Sequence, residues 1–188
     1  MNIDLLQDLT ASLVLLCFYS LRYTWSLLMG KRKKVLQVSW LNSGRHAIQF
    51  VIYFLVPILL IFNIFNIKVL TQIISSQNFL YILGTLYSCI GLVFIFFTRF
   101  HRASDWGYMG DQVGEKLFTG GVYKITRHPY YFGAISFGIG IYMIMNSYLV
   151  VLMIVTILFV KKVIKREEKF LFEKFGEEWV NYKNKVRF

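Results

Sequence analysis

Apolar segments of near-bilayer length recur along this chain, and they limit what it can fold into more than any other feature. Leu5–Met29, Ala47–Phe65, Phe79–Phe100, Tyr130–Met145 and Tyr148–Val163 are almost free of charge. A helix needs about 20 apolar residues to cross a hydrocarbon core. One such segment fits the buried helix of a soluble protein, but five do not. With 56% hydrophobic residues, the 188-residue chain is too apolar for a soluble domain of its size. The expectation is an all-α integral membrane protein with about five transmembrane helices. Only Asn146 and Ser147 separate the fourth and fifth segments, which implies an antiparallel helical hairpin. The fourth segment is short, and its glycines (Gly133, Gly138 and Gly140) suggest close contact with another helix.

Basic residues orient the spans. Of 21 Lys and Arg, 19 fall on one side if the helices alternate: five in 31–45, five in 99–127 and nine in 161–187. Lys68 lies in the opposite loops, and Arg22 lies near enough to one end of the first span to snorkel. The positive-inside rule then places the N-terminus outside and the C-terminus, with its helix, in the cytoplasm. The net charge of +11 is accounted for by topology and attraction to anionic lipid, so the bilayer is the expected partner and nucleic acid is not. Asp4 and Asp8 lie at the start of the first span and Lys31–Lys34 follow it, the reverse of a cleavable signal. Cys17, Cys89 and the three scattered histidines lack disulfide or metal-ligand spacing, so no metal site is expected.

The chain divides into three N-terminal spans (1–98) and a C-terminal part (99–188) in which the unusual chemistry lies. The connection from about Arg99 to His128 is long for a bare loop, with five glycines interleaved with Trp106, Tyr108, Phe118 and Tyr123. Glycines let a backbone approach a ligand, and aromatic rings offer flat faces. After Lys161 the apolar span becomes an amphipathic stripe of Ile164, Leu171, Phe175, Trp179, Tyr182 and Val186 at helical spacing, weakened at Gly176. Glu167 falls on that stripe and Glu168 borders it. A carboxylate on an apolar face near a membrane needs a cationic partner.

Between these parts lies Thr126–Gly133, TRHPYYFG. Proline suits the first position of a helix, so Pro129 opens the fourth span with His128 at the cap position. The free N–H groups of that first turn attract an anion. Arg127, His128, Tyr130 and Tyr131 add further donors. The expected hairpin returns Glu167 and Glu168 to the same end. A ligand with both a carboxylate and a cation would match this pairing, and S-adenosylmethionine is one such ligand.

These residues resemble the superfamily of isoprenylcysteine carboxyl methyltransferase-like and phospholipid methyltransferases. The resemblance rests on Trp106, Leu117, Gly121, Tyr123, Arg127, His128, Pro129, Tyr131 and Gly133, then on Glu167, Glu168, Leu171, Phe175, Gly176 and Tyr182. It covers roughly the last 90 residues. It departs from the pattern at Trp179, where Tyr is usual, and at Gly107, where Ser often stands. The resemblance implies an integral membrane methyltransferase using S-adenosylmethionine, with a lipid-like or prenylated acceptor reaching it from the bilayer. It implies cofactor binding by Leu117, Gly121, Val122, Tyr123, His128, Pro129, Tyr131, Gly133 and Glu168. Glu167, Arg127 and Arg166 are the candidates for the reacting end: an arginine to orient a carboxylate acceptor, or Glu167 or His128 as base for an amine. A second resemblance, to sterol-reductase-like oxidoreductases using NADPH, is weaker, because Tyr130 and Ala134 stand where those enzymes have Asn and Glu. A non-catalytic membrane subunit would explain the spans but not the paired cationic and anionic motifs.

Overall fold

The computed structural model describes residues 9–20, 58, 77–105 and 117–186. The expected second span, Ala47–Phe65, lies outside the described residues apart from Ile58, as do both ends of the first and the basic stretch 31–45. The elements are helical throughout: α1 (Leu9–Ser20), α2 (Gln77–Asp105), α3 (Pro129–Ile144), α4 (Leu152–Phe175) and α5 (Glu177–Lys185). Short 3-10 turns occupy Gly121–Lys124 and Tyr148–Val151.

Several boundaries differ from expectation. The third span does not stop near Phe100, because α2 continues to Asp105 and shortens the following loop. The fifth does not begin as a helix at Tyr148; a 3-10 turn precedes α4. No break follows Val163, and α4 carries the apolar span directly into the amphipathic stripe as far as Phe175. Gly176 ends it with φ 51° and ψ −122°, backbone angles that a side chain resists. The stripe is therefore two helices.

Among the described residues, one segment, Asn78–Thr98, is long and apolar enough to span a membrane, and only 28% of its most apolar window is buried inside the protein. That low burial separates it from the core helix of a soluble fold. Its outward residues Phe79, Ile82, Leu86, Ile90, Val93 and Phe97 are 40–62% exposed. They follow the 3.6-residue repeat and form a continuous apolar face too large for an ordinary water-exposed surface. With 16 residues, α3 is about 24 Å long, short of the ~30 Å hydrocarbon core.

Helix α3 is apolar all round, and it is the central helix. Phe137, Ile141, Tyr142 and Ile144 are wholly buried. Ala11, Leu15 and Phe18 of α1 pack on one side, with Phe18 stacked on Phe137 at 4.7 Å, and Met153, Val160 and Val163 of α4 join the same cluster. On the α2 side the backbones meet directly. A Cβ on Gly140 would lie 2.3 Å from Ser88 Oγ and 2.5 Å from the Gly84 carbonyl oxygen. One on Gly91 would lie 2.5 Å from the Phe137 nitrogen and 2.6 Å from the Gly133 carbonyl oxygen. Small residues four and three apart on α2 (Gly84, Ser88, Gly91) face small residues seven apart on α3 (Gly133, Gly140). Such close packing holds helices together where lipid removes the hydrophobic drive.

Candidate active site

The site is built at the start of α3. Pro129 occupies the first turn, where its missing N–H costs nothing, and it is buried. His128 holds the cap position, and its backbone N–H donates to Thr126 Oγ1 at 3.3 Å. No side chain caps the helix. The imidazole turns toward α4, where its Nδ1 lies 3.7 Å from Glu167 Oε2 and its Nε2 lies 3.4 Å from Glu168 Oε1. One ring thus sits between two carboxylates.

Burial places those carboxylates. Val160, Val163, Glu167 and Leu171 recur every three or four residues on the inward face of α4. Glu167 is 4% exposed, and its Oε2 has no hydrogen-bond partner among the described residues. A buried, unanswered carboxylate oxygen is costly to stability, and proteins keep such groups where function needs them. Glu168 is fully answered. Its Oε1 accepts from Arg127 Nε at 3.0 Å and its Oε2 from Lys183 Nζ at 2.7 Å. The hydrogen bond with His128 does most to hold the Glu168 carboxyl down, at about 2. Burial opposes this, and Lys183 and Arg127 reinforce it.

Arg127 is also occupied. Its Nη2 lies 3.0 Å from Glu168 Oε1, and its Nη1 donates to the Val186 carbonyl just beyond α5. In this structure the guanidinium clasps the C-terminal helix. Helix α5 is held from its apolar side as well: Trp179, Tyr182 and Val186 pack with Tyr123 and Leu171, flanked by Leu117, Phe118, Val122, Phe170 and Phe175. The Tyr182 hydroxyl donates to the Tyr123 carbonyl at 2.7 Å, and burial pushes its phenol upward. Gly121 supplies the left-handed residue (φ 54°) that turns the chain into this cluster.

The sequence-predicted residues therefore sort into four places. Arg127, His128, Glu167 and Glu168 meet in one polar cluster, with Tyr131 buried beside the imidazole at 6.1 Å between ring centroids. Leu117, Gly121, Val122 and Tyr123 form the wall that α5 closes. Gly133 packs against α2, where a Cβ would lie 2.9 Å from the Gly91 carbonyl oxygen. Arg166 is exposed, and none of the cluster's contacts involves it. Sequence reasoning missed Lys183 and the Val186 carbonyl. The first was one of nine basic residues in its segment, and a backbone acceptor leaves no mark in a sequence.

Comparison with known proteins adds three findings. The pattern of a family described as phospholipid methyltransferase matches residues 79–178, just over half of the chain. A yeast protein, the Saccharomyces cerevisiae protein-S-isoprenylcysteine O-methyltransferase, is 38% identical over 72 residues, 37% of this chain and 30% of the relative. The match thus spans under a third of that relative's length. No solved structure matches the chain.

Proposed function

The chain belongs to the phospholipid methyltransferase family, and from that premise we propose that it is an integral membrane methyltransferase that uses S-adenosylmethionine and acts on an acceptor with a lipid-like or isoprenoid tail. The observation that carries the proposal is the pair of carboxylates at His128, one tied down and one with a buried free oxygen. The residues fit the cofactor on two counts. Glu167 Oε2 offers an acceptor to a ligand cation. The uncapped first turn of α3 offers backbone N–H groups to a ligand carboxylate. When bound, S-adenosylmethionine supplies a methyl group on a sulfonium sulfur, whose leaving thioether is neutral.

The protein's own task is alignment and exclusion of water. Glu168, Arg127 and Lys183 fix the imidazole and hold α5 over the Tyr123 wall. Glu167 then faces the ligand with a carboxylate oxygen that no hydrogen bond in the cluster occupies, His128 Nδ1 standing 3.7 Å away. The acceptor's reacting group is a carboxyl, amine or thiol. The name of the yeast relative favours a carboxyl oxygen, and Arg166, exposed on α4, is the cation left to meet it. The proposed topology is five spans, with α3 and α4 as a transmembrane hairpin, the N-terminus outside, and the C-terminus and site in the cytoplasm. The apolar outer face of α2 and the basic bias of the loops support it.

Purified protein should bind S-adenosylhomocysteine and transfer labelled methyl groups from S-adenosylmethionine to a component of a membrane extract, with the product identified by mass. Binding of NADPH without S-adenosylhomocysteine would replace the methyltransferase assignment with an oxidoreductase. Binding of neither would leave a non-catalytic subunit.

A further inference from the structure

A groove of about 400 Å³ between the second half of α4 and α5 borders the clasp around His128 and shares Glu168 and Lys183 with it. Lys165, Lys169 and Lys183 line it together with Phe172, Trp179 and Val180, and Glu168 is the one acid among its lining residues. We infer that this groove docks the headgroup of an anionic phospholipid of the surrounding bilayer, at a place separate from the methyl acceptor. The inference rests on the membrane embedding proposed above and not on the cofactor.

Charge is the first reason. The Glu168 carboxylate is already answered by Arg127, His128 and Lys183 and opposes an incoming anion little. Lys169 has only a loose 3.8 Å pairing with Glu173, both side chains more than half exposed. The groove is therefore left with excess positive charge, which draws anionic lipid. Composition is the second. Phe172 is 54% and Val180 38% exposed, so the lysines are set beside apolar surface that an acyl chain or glycerol backbone can cover. Depth is the third. Ile154, Val155, Leu158 and Phe159 give α4 an exposed apolar face that ends at Lys161. At 1.5 Å per residue along α4, Lys165 stands about 7.5 Å beyond Val160, at the outer edge of the roughly 5–8 Å headgroup layer, and Lys169 and Phe172 about 13 and 18 Å beyond it, so the groove opens at the headgroups and extends to their aqueous side. The volume is also that of a small-molecule site.

The test titrates the purified full chain in detergent with dioctanoyl phosphatidylglycerol, which has no amine, carboxyl or thiol to methylate, and follows thermal melting. Saturable stabilisation is expected. The double variant K165A/K169A should weaken it at least tenfold, and K161A/K162A, which removes the same charge from exposed positions of α4 outside the groove, should stay within twofold. S-adenosylhomocysteine affinity, measured on the same samples, should be unchanged, so failure of the lipid site and failure of the methyltransferase proposal are read separately. Equal weakening by both pairs would reduce the effect to diffuse charge attraction and overturn the inference. So would an equal response to dioctanoyl phosphatidylcholine, or saturation by glycerol 3-phosphate alone.

Discussion

Replacing Glu168 by Gln keeps the shape of the side chain and removes its charge, leaving Arg127 and Lys183 without the counter-ion they share. The ionised carboxyl sits at about 2 where 4.5 is ordinary. A difference of this size corresponds to about 3 kcal/mol at 1.36 kcal/mol for each tenfold change in proton affinity. Lys183 is 46% exposed and its share is screened by water, so about 2 kcal/mol is the working figure. For a chain of this length that lowers the melting temperature by about 4–8 °C. Because folding depresses this carboxyl, its contribution is complete above pH 4.5 and fades as pH falls toward 2. The gap between wild type and E168Q should therefore be full at pH 7 and narrow through that acid window. Scanning fluorimetry in detergent at a series of pH values measures both. Identical melting at pH 7 would refute the assignment of Glu168 as the residue that secures α5. A gap that widened on acidification would refute the sign.

Three further outcomes follow from the same geometry. Glu167→Gln should leave melting unchanged or raise it, because the oxygen it replaces is buried without a hydrogen bond, yet weaken S-adenosylhomocysteine binding about 10- to 150-fold by calorimetry; unchanged affinity would remove Glu167 from the site. Gly140→Ala puts a methyl 2.3 Å from Ser88 Oγ and should cost about 1–3 kcal/mol in melting experiments, whereas a neutral result would mean that α2 and α3 are not in backbone contact. Gly176→Ala should also cost about 1–3 kcal/mol although a Cβ there meets nothing within 4 Å, since the cost lies in the backbone angles; chemical denaturation should show it, and a neutral result would place the joint in ordinary helical geometry.

What could be read from residues alone followed from local rules. Pro129 and His128 mark a helix start because proline tolerates only that place, and Glu167 was legible because it interrupts an apolar repeat. The meeting of His128 with the two acids was expected from the short joint at Asn146 and Ser147, which turns the chain back on itself. The role of Arg127 was not legible. It depends on where the chain goes after Gly176, and that is set by Trp179 and Tyr182 packing on Tyr123. Gly84, Ser88 and Gly91 were also missed: within an apolar span, small residues leave no polarity contrast, and only the partner helix reveals their use. The number of membrane spans was read from apolar length, and that measure marks only Asn78–Thr98 among the described residues as long enough.

The seam between α2 and α3 has a mechanical consequence. Where backbone touches backbone, no side chain is available to change rotamer and absorb a displacement, so the pair behaves as one beam, and sliding either helix must carry the other. A ligand that enters beside His128 cannot be admitted by parting them. The compliance has to lie at the opposite wall, where α5 hangs from a single glycine joint and is fastened by a few polar contacts from Arg127, Tyr182 and Lys183. The beam keeps the uncapped end of α3 fixed while that wall moves, so each turnover would begin and end with the same rigid edge in register.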